Sequence, residues 1–332
     1  MTVKQHVNMR IASVTLLAPI SWGTTYVTVA KLLPPDRPFF VAALRVLPAG
    51  VVLASIGVLN SRWRPTGRQW AHTAVLAVFN FAIFFPLLIT AIYRLPGGVA
   101  ASVGGIQPLL VATISSLLGV ARPRRRDLVI GALAALGVAL VVIRPNASID
   151  PIGVLAAIGA NVSFSVGVVL TKKLPNPASR VGSTGWQLLL SAAVLVPLAA
   201  LTEGRPPALT ATNLAGFAYL SLVTTGIAFV LWFTGIRRLP TQAPPLLGLA
   251  APITGAALGW LMLHQQLSPV QIAGFLIAIS AVAYGATLGT IQPNPGSESS
   301  APAPTPSTRR LDPIQTGISV TPVGAQMIRC HP

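Results

Sequence analysis

The sequence predicts an all-α integral membrane protein whose ten transmembrane helices form two inverted five-helix repeats. Three observations predict it: ten apolar runs of bilayer-spanning length, basic residues gathered in alternate loops, and proline-bearing landmarks that recur about 144 residues apart.

Composition sets the class. Of 332 residues, 53% are hydrophobic and 9% are charged, with a mean hydropathy of +0.71. A soluble domain carries about 25% charged residues, so this chain could not cover a water-exposed surface. The net charge of +17 is dispersed between apolar segments, with few aromatic residues among the cations. That pattern reads as orientation charge on a membrane protein, not as a nucleic-acid footprint. One cysteine, Cys330, and four scattered histidines offer neither a disulfide framework nor a metal cluster, so no cofactor is expected.

A helix needs about 20 mostly apolar residues to cross a bilayer. Such runs occupy 11–33, 37–58, 71–92, 97–119, 127–143, 152–171, 185–202, 214–236, 243–263 and 268–290. Barrel strands would be shorter and would alternate in character. The opening MTVKQHVNMR resembles the charged region of a signal peptide, but the run behind it is too long and is broken by SWGTT. It reads as a retained first span. Residues 1–10 are then a cytosolic N-terminus, 11–145 the first repeat and 152–290 the second. The Pro/Ser/Thr-rich 291–332 is expected to be a disordered cytosolic tail.

The cations test this order. With a cytosolic N-terminus, seventeen Lys and Arg fall in inside segments and five in outside loops, with Arg45 left within a span. Cytoplasmic loops of membrane proteins carry such an excess, and dropping one span would invert every later loop. The repeat is read from landmarks. RLP at 94–96 and Pro108 recur as RLP at 238–240 and Pro252, both at an offset of 144. KLLP at 31–34 recurs as KKLP at an offset of 141, and 126–142 lies over 269–285 at an offset of 143. Five spans per copy is odd, so the second copy enters from the opposite side.

The six acidic residues lie in loops, in the tail or at a span boundary. Paired aspartates for Mg²⁺, a protease dyad, a buried carboxylate relay and a GxxxxGK[ST] loop are all missing from the sequence, which argues against a membrane enzyme and against ATP-driven transport. Polar residues at membrane depth do cluster: Trp22, Thr25 and Tyr26 in span 1, Asn80 in span 3, and Gln107 beside Pro108 in span 4. The second half supplies Asn161 and Ser165 in span 6, Thr225 and Trp232 in span 8, and Thr254 near Pro252 in span 9. Singly, each would serve to bond neighbouring helices. As a set they outline a polar cavity, with the two prolines as hinges that free backbone carbonyls.

Arg45 is the sharpest feature. It sits roughly 12 Å below the outer end of span 2, at 1.5 Å per residue, where a charge costs about 2.5–3.5 kcal/mol on insertion scales. With no acid at that depth, its partners are carbonyls, hydroxyls or amides of spans 1 or 3, water, or an anionic group on a cargo. Both a structural or gating role and direct substrate contact remain open.

SWGTTYVTVAK followed by FFVAALRVLPAG resembles the opening of the EamA-type carriers of the drug/metabolite transporter superfamily. Trp22 and Gly23 match their first-span Trp-Gly pair, Arg45 and Ala49 their second-span arginine and small residue, and Pro108 and Pro252 their proline-bearing spans. The likeness covers 11–290. It implies a ten-helix inverted-repeat carrier with a central cavity that exports amino acids or similar metabolites, or drugs, and is not an enzyme. The second repeat departs from the pattern: NVSFS stands where SWGTT does, and no mid-helix arginine follows. Nineteen Arg against four Lys suggests a high-GC bacterium. The expected setting is therefore the inner membrane, with both termini cytosolic. The expected partners are a small-molecule substrate and the lipid bilayer, with no nucleic acid. A membrane-embedded enzyme on lipid-linked substrates is the contrasting alternative.

Overall fold

The computed structural model describes residues 3–121, 125–142, 150–175, 177–239, 241, 243–263 and 268–290. The described residues form one compact unit, within Met1–Gln292; the tail expected at 291–332 lies outside them. Among those residues there is no β-strand.

In the first half, α1 (Val3–Gly23) and α2 (Thr25–Leu32) break at Thr24, within the SWGTT interruption, and α3 (Pro38–Ser61) follows. Next come α4 (Arg68–Ala77) and α5 (Phe84–Arg94), joined by a π-helical turn at Val78–Ala82. A 3₁₀ turn at Val103–Ile106 separates α6 (Gly97–Ser102) from α7 (Gln107–Leu117), and α8 (Arg125–Val142) closes the half. The second half repeats this plan. It comprises α9 (Pro151–Lys173), α10 (Arg180–Glu203), and α11 (Ala211–Ala218) joined to α12 (Ala228–Arg238) by a π-helical segment at Tyr219–Ile227. The short α13 (Ala243–Leu247), α14 (Ala250–Leu263) and α15 (Pro269–Thr290) complete it. The two π-helical segments begin 141 residues apart, the offset already marked by KLLP and KKLP.

Among the described residues, seven helical stretches are long and apolar enough to cross a membrane: Pro38–Ser61, Arg68–Arg94, Val99–Leu117, Pro151–Lys173, Arg180–Glu203, Ala211–Arg238 and Ala243–Met262. The other three expected runs are helical as well. α1 with α2 covers the first, α8 the fifth and α15 the tenth. The 18-residue α8 opens on three charged residues, Arg125, Arg126 and Asp127, which leaves it little apolar length to spare.

Contacts between chain connections fall into two sets that share no connection. At one end, Arg94 pairs with Asp150 at 2.8 Å, the Tyr93 hydroxyl donates to the Pro34 carbonyl, and Asn213 donates to the Leu32 carbonyl. There the Glu203 carboxylate accepts from the N–H groups of Phe39 and Phe40, while Arg37 donates to the Glu203 and Arg205 carbonyls. The start of α3 and the finish of α10 thus cap each other, anion on helix N-terminus and cation on C-terminus. At the other end, Lys172 donates to the Ile236 and Leu239 carbonyls, Arg237 to the Leu174 carbonyl, and Lys173 to the Leu118 carbonyl. Successive segments therefore finish at alternate ends of the bundle.

The two halves meet most closely where α3 crosses α10. Glycines on both helices remove the side chains that would hold them apart. A Cβ on Gly57 would strike the Gly182 backbone, and one on Gly185 would lie 2.6 Å from the Leu53 carbonyl carbon. Gly255 likewise lets α14 approach Tyr26 and Ala101.

Two outcomes follow from these contacts. Gly185→Leu should force α3 from α10 and lower the thermal midpoint of the detergent-purified protein, whereas Gly204→Ala, which meets nothing within 4 Å, serves as a positive-φ control with a smaller loss. The Arg94 guanidinium, aided by the Ile152 and Gly153 N–H groups, holds the Asp150 carboxyl below its ordinary range. A depressed folded value contributes stability at neutral pH that is lost as pH falls through that value. Acid-induced loss of thermal stability below about pH 4 should therefore be smaller in Asp150→Asn than in the natural chain.

Candidate functional site

Arg45 organises the interior of the bundle. It is 1% exposed, and its charge is met by neutral groups from both halves. Nε donates to Thr225 Oγ1 at 2.7 Å, Nη2 donates to Thr224 Oγ1 at 3.1 Å and to Thr25 Oγ1 at 3.4 Å. The guanidinium carbon stands 4.2 Å from the centre of the Phe85 ring. Hydrogen bonds from a charged donor contribute about 1.5–3 kcal/mol each, and a desolvated cation over a ring about 2 kcal/mol. Two good bonds and the ring thus offset the cost of placing a charge here, about 2.5–3.5 kcal/mol. Nη1 has no hydrogen-bond partner among the described residues.

The π-helical segment at Tyr219–Ile227 supplies most of this support. Beyond the two threonines, Ser221 Oγ accepts the Ala49 N–H at 2.9 Å, the Thr224 carbonyl accepts Trp22 Nε1 at 2.9 Å, and the Tyr219 hydroxyl lies 2.8 Å from Thr24 Oγ1. Widening a helix by one residue per turn displaces its side chains and carbonyls from the α register. Here it presents Thr224 and Thr225 together to Arg45. Gly23 has its own reason: a Cβ there would collide with Thr254 and sit 2.7 Å from the Ala251 carbonyl oxygen, so α14 lies against the end of α1.

Beside Arg45 is a cavity lined by Trp22, Thr25, Tyr26, Gln107, Asn161 and Pro252, with aromatic walls from Phe84, Phe85, Phe164 and Phe229. About 60 Å³ of it is open to the centre of a water molecule. At 10–15 Å³ per water, that is room for roughly four waters or one small polar group. Gln107 sits at the start of α7, and its Nε2 has no partner among the described residues. Asn161 Nδ2 donates to the Ala157 carbonyl.

The other expected site residues are placed differently. Thr225 stands behind Arg45 as its nearest acceptor. Trp232 is fully buried against Trp22 and Phe164, 5.0 and 6.3 Å between ring centres. Ser165 is buried and its Oγ lacks a partner among the described residues. Thr254 packs on Gly23. Asn80 belongs to a separate polar cluster, where its Nδ2 donates to Gln187 Oε1 at 3.3 Å and to Thr171 Oγ1 at 3.5 Å. Pro108 and Pro252 lie in the opening turns of α7 and α14. The missing N–H falls where a helix has no intrahelical acceptor anyway, so these prolines begin helices after a break instead of kinking continuous ones.

Some of the site is not evident from sequence. Thr224 was visible as a polar residue but had no mark separating it from its neighbours. The ring cluster of Trp22, Phe81, Phe84, Phe85, Phe164, Phe229, Trp232 and Phe233 is hidden because phenylalanines do not stand out in an apolar chain. It gathers eight of the chain's 21 aromatic residues, of which Trp22, Phe84, Phe85, Phe164 and Phe229 line the cavity.

The setting is a helical membrane protein with a largely aromatic cavity, carrying a few polar groups, where two similar halves meet. The relatives of the chain define its class, that of membrane transporters. Residues 9–143 and 151–284 each match the EamA-like transporter family. Protein PecM of Dickeya dadantii is 37% identical over 276 residues, covering 82% of this chain and 91% of PecM. The uncharacterized transporter YwfM of Bacillus subtilis is 29% identical, covering 79% and 88% of the two chains. The uncharacterized inner membrane transporter YedA of Escherichia coli is 25% identical, covering 79% and 86%. A solved crystal structure, 20% identical, superposes with a TM-score of 0.66 over 85% of this chain and 98% of that one, which shows the shared fold. The chain belongs to the EamA-like transporter family of the drug/metabolite transporter superfamily, a family of transporters rather than enzymes.

Thr225→Val removes the nearest acceptor from a buried cation, a loss of about 1–3 kcal/mol. It should lower the thermal midpoint of the purified protein, whereas Thr225→Ser, which keeps the hydroxyl, should stay near the natural value.

Proposed function

We propose that this protein is a secondary transporter that exports a small metabolite, an amino acid or related compound, across the cytoplasmic membrane by alternating access. The observation that carries the reading is the guanidinium of Arg45, which belongs to one repeat, is clasped by threonines of the other, and faces the cavity at their meeting. Cargo that draws on Arg45 competes with contacts holding the halves together, so binding can bias how they sit.

The proposed topology has ten crossings with both termini cytosolic. It is supported by the alternate-end contacts of successive segments and by the seventeen-to-five bias of cations. In this reading α9 enters from the end opposite to α1, which makes the second repeat inverted. Trp22, Thr25, Tyr26, Arg45, Gln107 and Asn161 are the proposed contacts, and the breaks before Pro108 and Pro252 are the proposed hinges. Thr225, which accepts from Arg45, and Trp232, which packs on Trp22 and Phe164, support the cavity from behind. Among the described residues no carboxylate lines the cavity, so exchange or downhill movement is the mode that these residues support. Efflux of several drug-like compounds is the second reading, favoured by the cluster of eight rings.

Protein reconstituted in liposomes should accelerate the flux of at least one amino acid or related metabolite. Arg45→Ala should reduce that flux at least about tenfold, the effect of losing roughly 1.4 kcal/mol, with insertion and yield retained. Absence of flux across a broad panel of solutes from correctly folded protein would overturn the proposal.

A further inference from the structure

Two residues that line the cavity, Arg45 and Gln107, each carry a buried nitrogen donor, Nη1 and Nε2, with no partner among the described residues. The two residues are 1% and 7% exposed. A buried donor left unmet costs about 1–3 kcal/mol, more when it is charged, so a ligand that supplies acceptor atoms recovers that energy. The three hydroxyls bonded to Arg45 are neutral. They satisfy its geometry without cancelling its charge, and an arginine stays protonated in proteins. Around these donors stand Trp22, Phe84, Phe85, Phe164 and Phe229.

The complementary question is what a cationic ligand would find. Among the described residues that line the cavity there is no Asp or Glu; Asp150 and Glu203 are engaged at a bundle end, and Asp36 is exposed in the connection before α3. An ammonium group would meet a like charge, with ring faces, amide oxygens and the hydroxyls of Thr25 and Tyr26 as its neutral compensation. The cavity is therefore polarised in one sense.

From this we infer that the cargo is recognised through a carboxylate, or an anionic group of similar size, attached to an aromatic or apolar body, and that an ammonium group on the cargo contributes nothing to recognition. The inference rests on the transport reading and deepens it by naming the chemistry of its cargo. Arg45 Nη1, with the neighbouring Nη2 face, meets the anion through charge-assisted hydrogen bonds, Gln107 Nε2 adds a second donor, and the rings cover the body. The small volume open to water suits a carboxylate, with the ring of the ligand displacing side chains of the aromatic wall.

Three probes with one ring and different charges test this: 3-phenylpropionate (anion), phenylalanine (zwitterion) and 2-phenylethylamine (cation). Binding is read by equilibrium dialysis of labelled probe against the purified full-length protein in nanodiscs, independently of transport. 3-Phenylpropionate should bind at least as tightly as phenylalanine, and 2-phenylethylamine at least about tenfold more weakly. Gln107→Leu takes no Nε2 hydrogen bond away from the protein, so it should fold with an unchanged thermal midpoint and weaken the anion severalfold, more than it weakens the amine. Arg45→Gln should abolish the preference for the anion. Equal or tighter binding of the amine, a zwitterion much tighter than the anion, or no binding of 3-phenylpropionate would overturn the inference. Since liposome flux is measured separately, its absence with anion binding intact would instead remove the transport reading while leaving the chemistry of the site standing.

Discussion

The arrangement depends on a buried cation, Arg45, that has no buried anion among the described residues. Arg45 is held by Thr25, Thr224 and Thr225 and by the face of Phe85, none of which carries a formal charge. A buried ion pair would lock the two halves with an attraction that a neutral or anionic cargo could not easily match. Hydroxyls and a ring make the charge tolerable and leave part of its field available in the cavity. The same three threonines come from α2 and from the π-helical segment at Tyr219–Ile227, so the residue that needs support also joins one repeat to the other.

Symmetry explains where that support comes from, and the departure from symmetry explains why only one site results. Gln187 on α10 follows Arg45 on α3 by 142 residues, and the two helices cross at the glycine contacts. Each of these polar residues bonds the π-helical segment of the opposite repeat: Arg45 with Thr224 and Thr225, Gln187 with Asn80. Likewise Trp22 donates to the Thr224 carbonyl and Ser163, 141 residues later, donates to the Phe79 carbonyl. One crossing thus holds a cation beside a cavity. Its counterpart holds neutral amides packed on Gly167, where an added Cβ would collide with Asn80. Duplication supplied two equivalent places, and substitution made one of them electrostatically distinct.

The ends of the bundle follow a different logic from its middle. There the charges are solvent-accessible and bond the free carbonyls and N–H groups of helix termini, as with Glu203 on the start of α3 and Lys172 on the end of α12. Such contacts join segments from different repeats at both ends and are individually modest. In the proposed cycle they are the contacts that exchange as one end opens and the other closes, while the α3–α10 glycine crossing, which has no room for a side chain, stays together.

How much of this was legible beforehand can be judged from particular residues. The helical class, the apolar runs, the repeat and the family resemblance rest on composition, spacing and order, which a sequence carries directly, because lipid demands long apolar helices whatever their neighbours. Arg45 stood out for the same reason: a charge at membrane depth is costly in any context. Its partners were another matter. The expectation named carbonyls, hydroxyls or amides of spans 1 and 3, and the Thr25 hydroxyl fulfils it. The Phe85 ring was not foreseen, and Thr224 and Thr225 lie 179 and 180 residues away in the other repeat. Asn80 looked much like Gln107 in sequence, yet one packs among helices and the other lines the cavity. Which polar residues converge, which rings form a wall and where a helix loosens into a π-turn depend on crossings set by bulk at sites such as Gly57, Gly182 and Gly185. Local sequence determined the membrane helices and the one misplaced charge; the packing of two distant halves alone decided what that charge would touch.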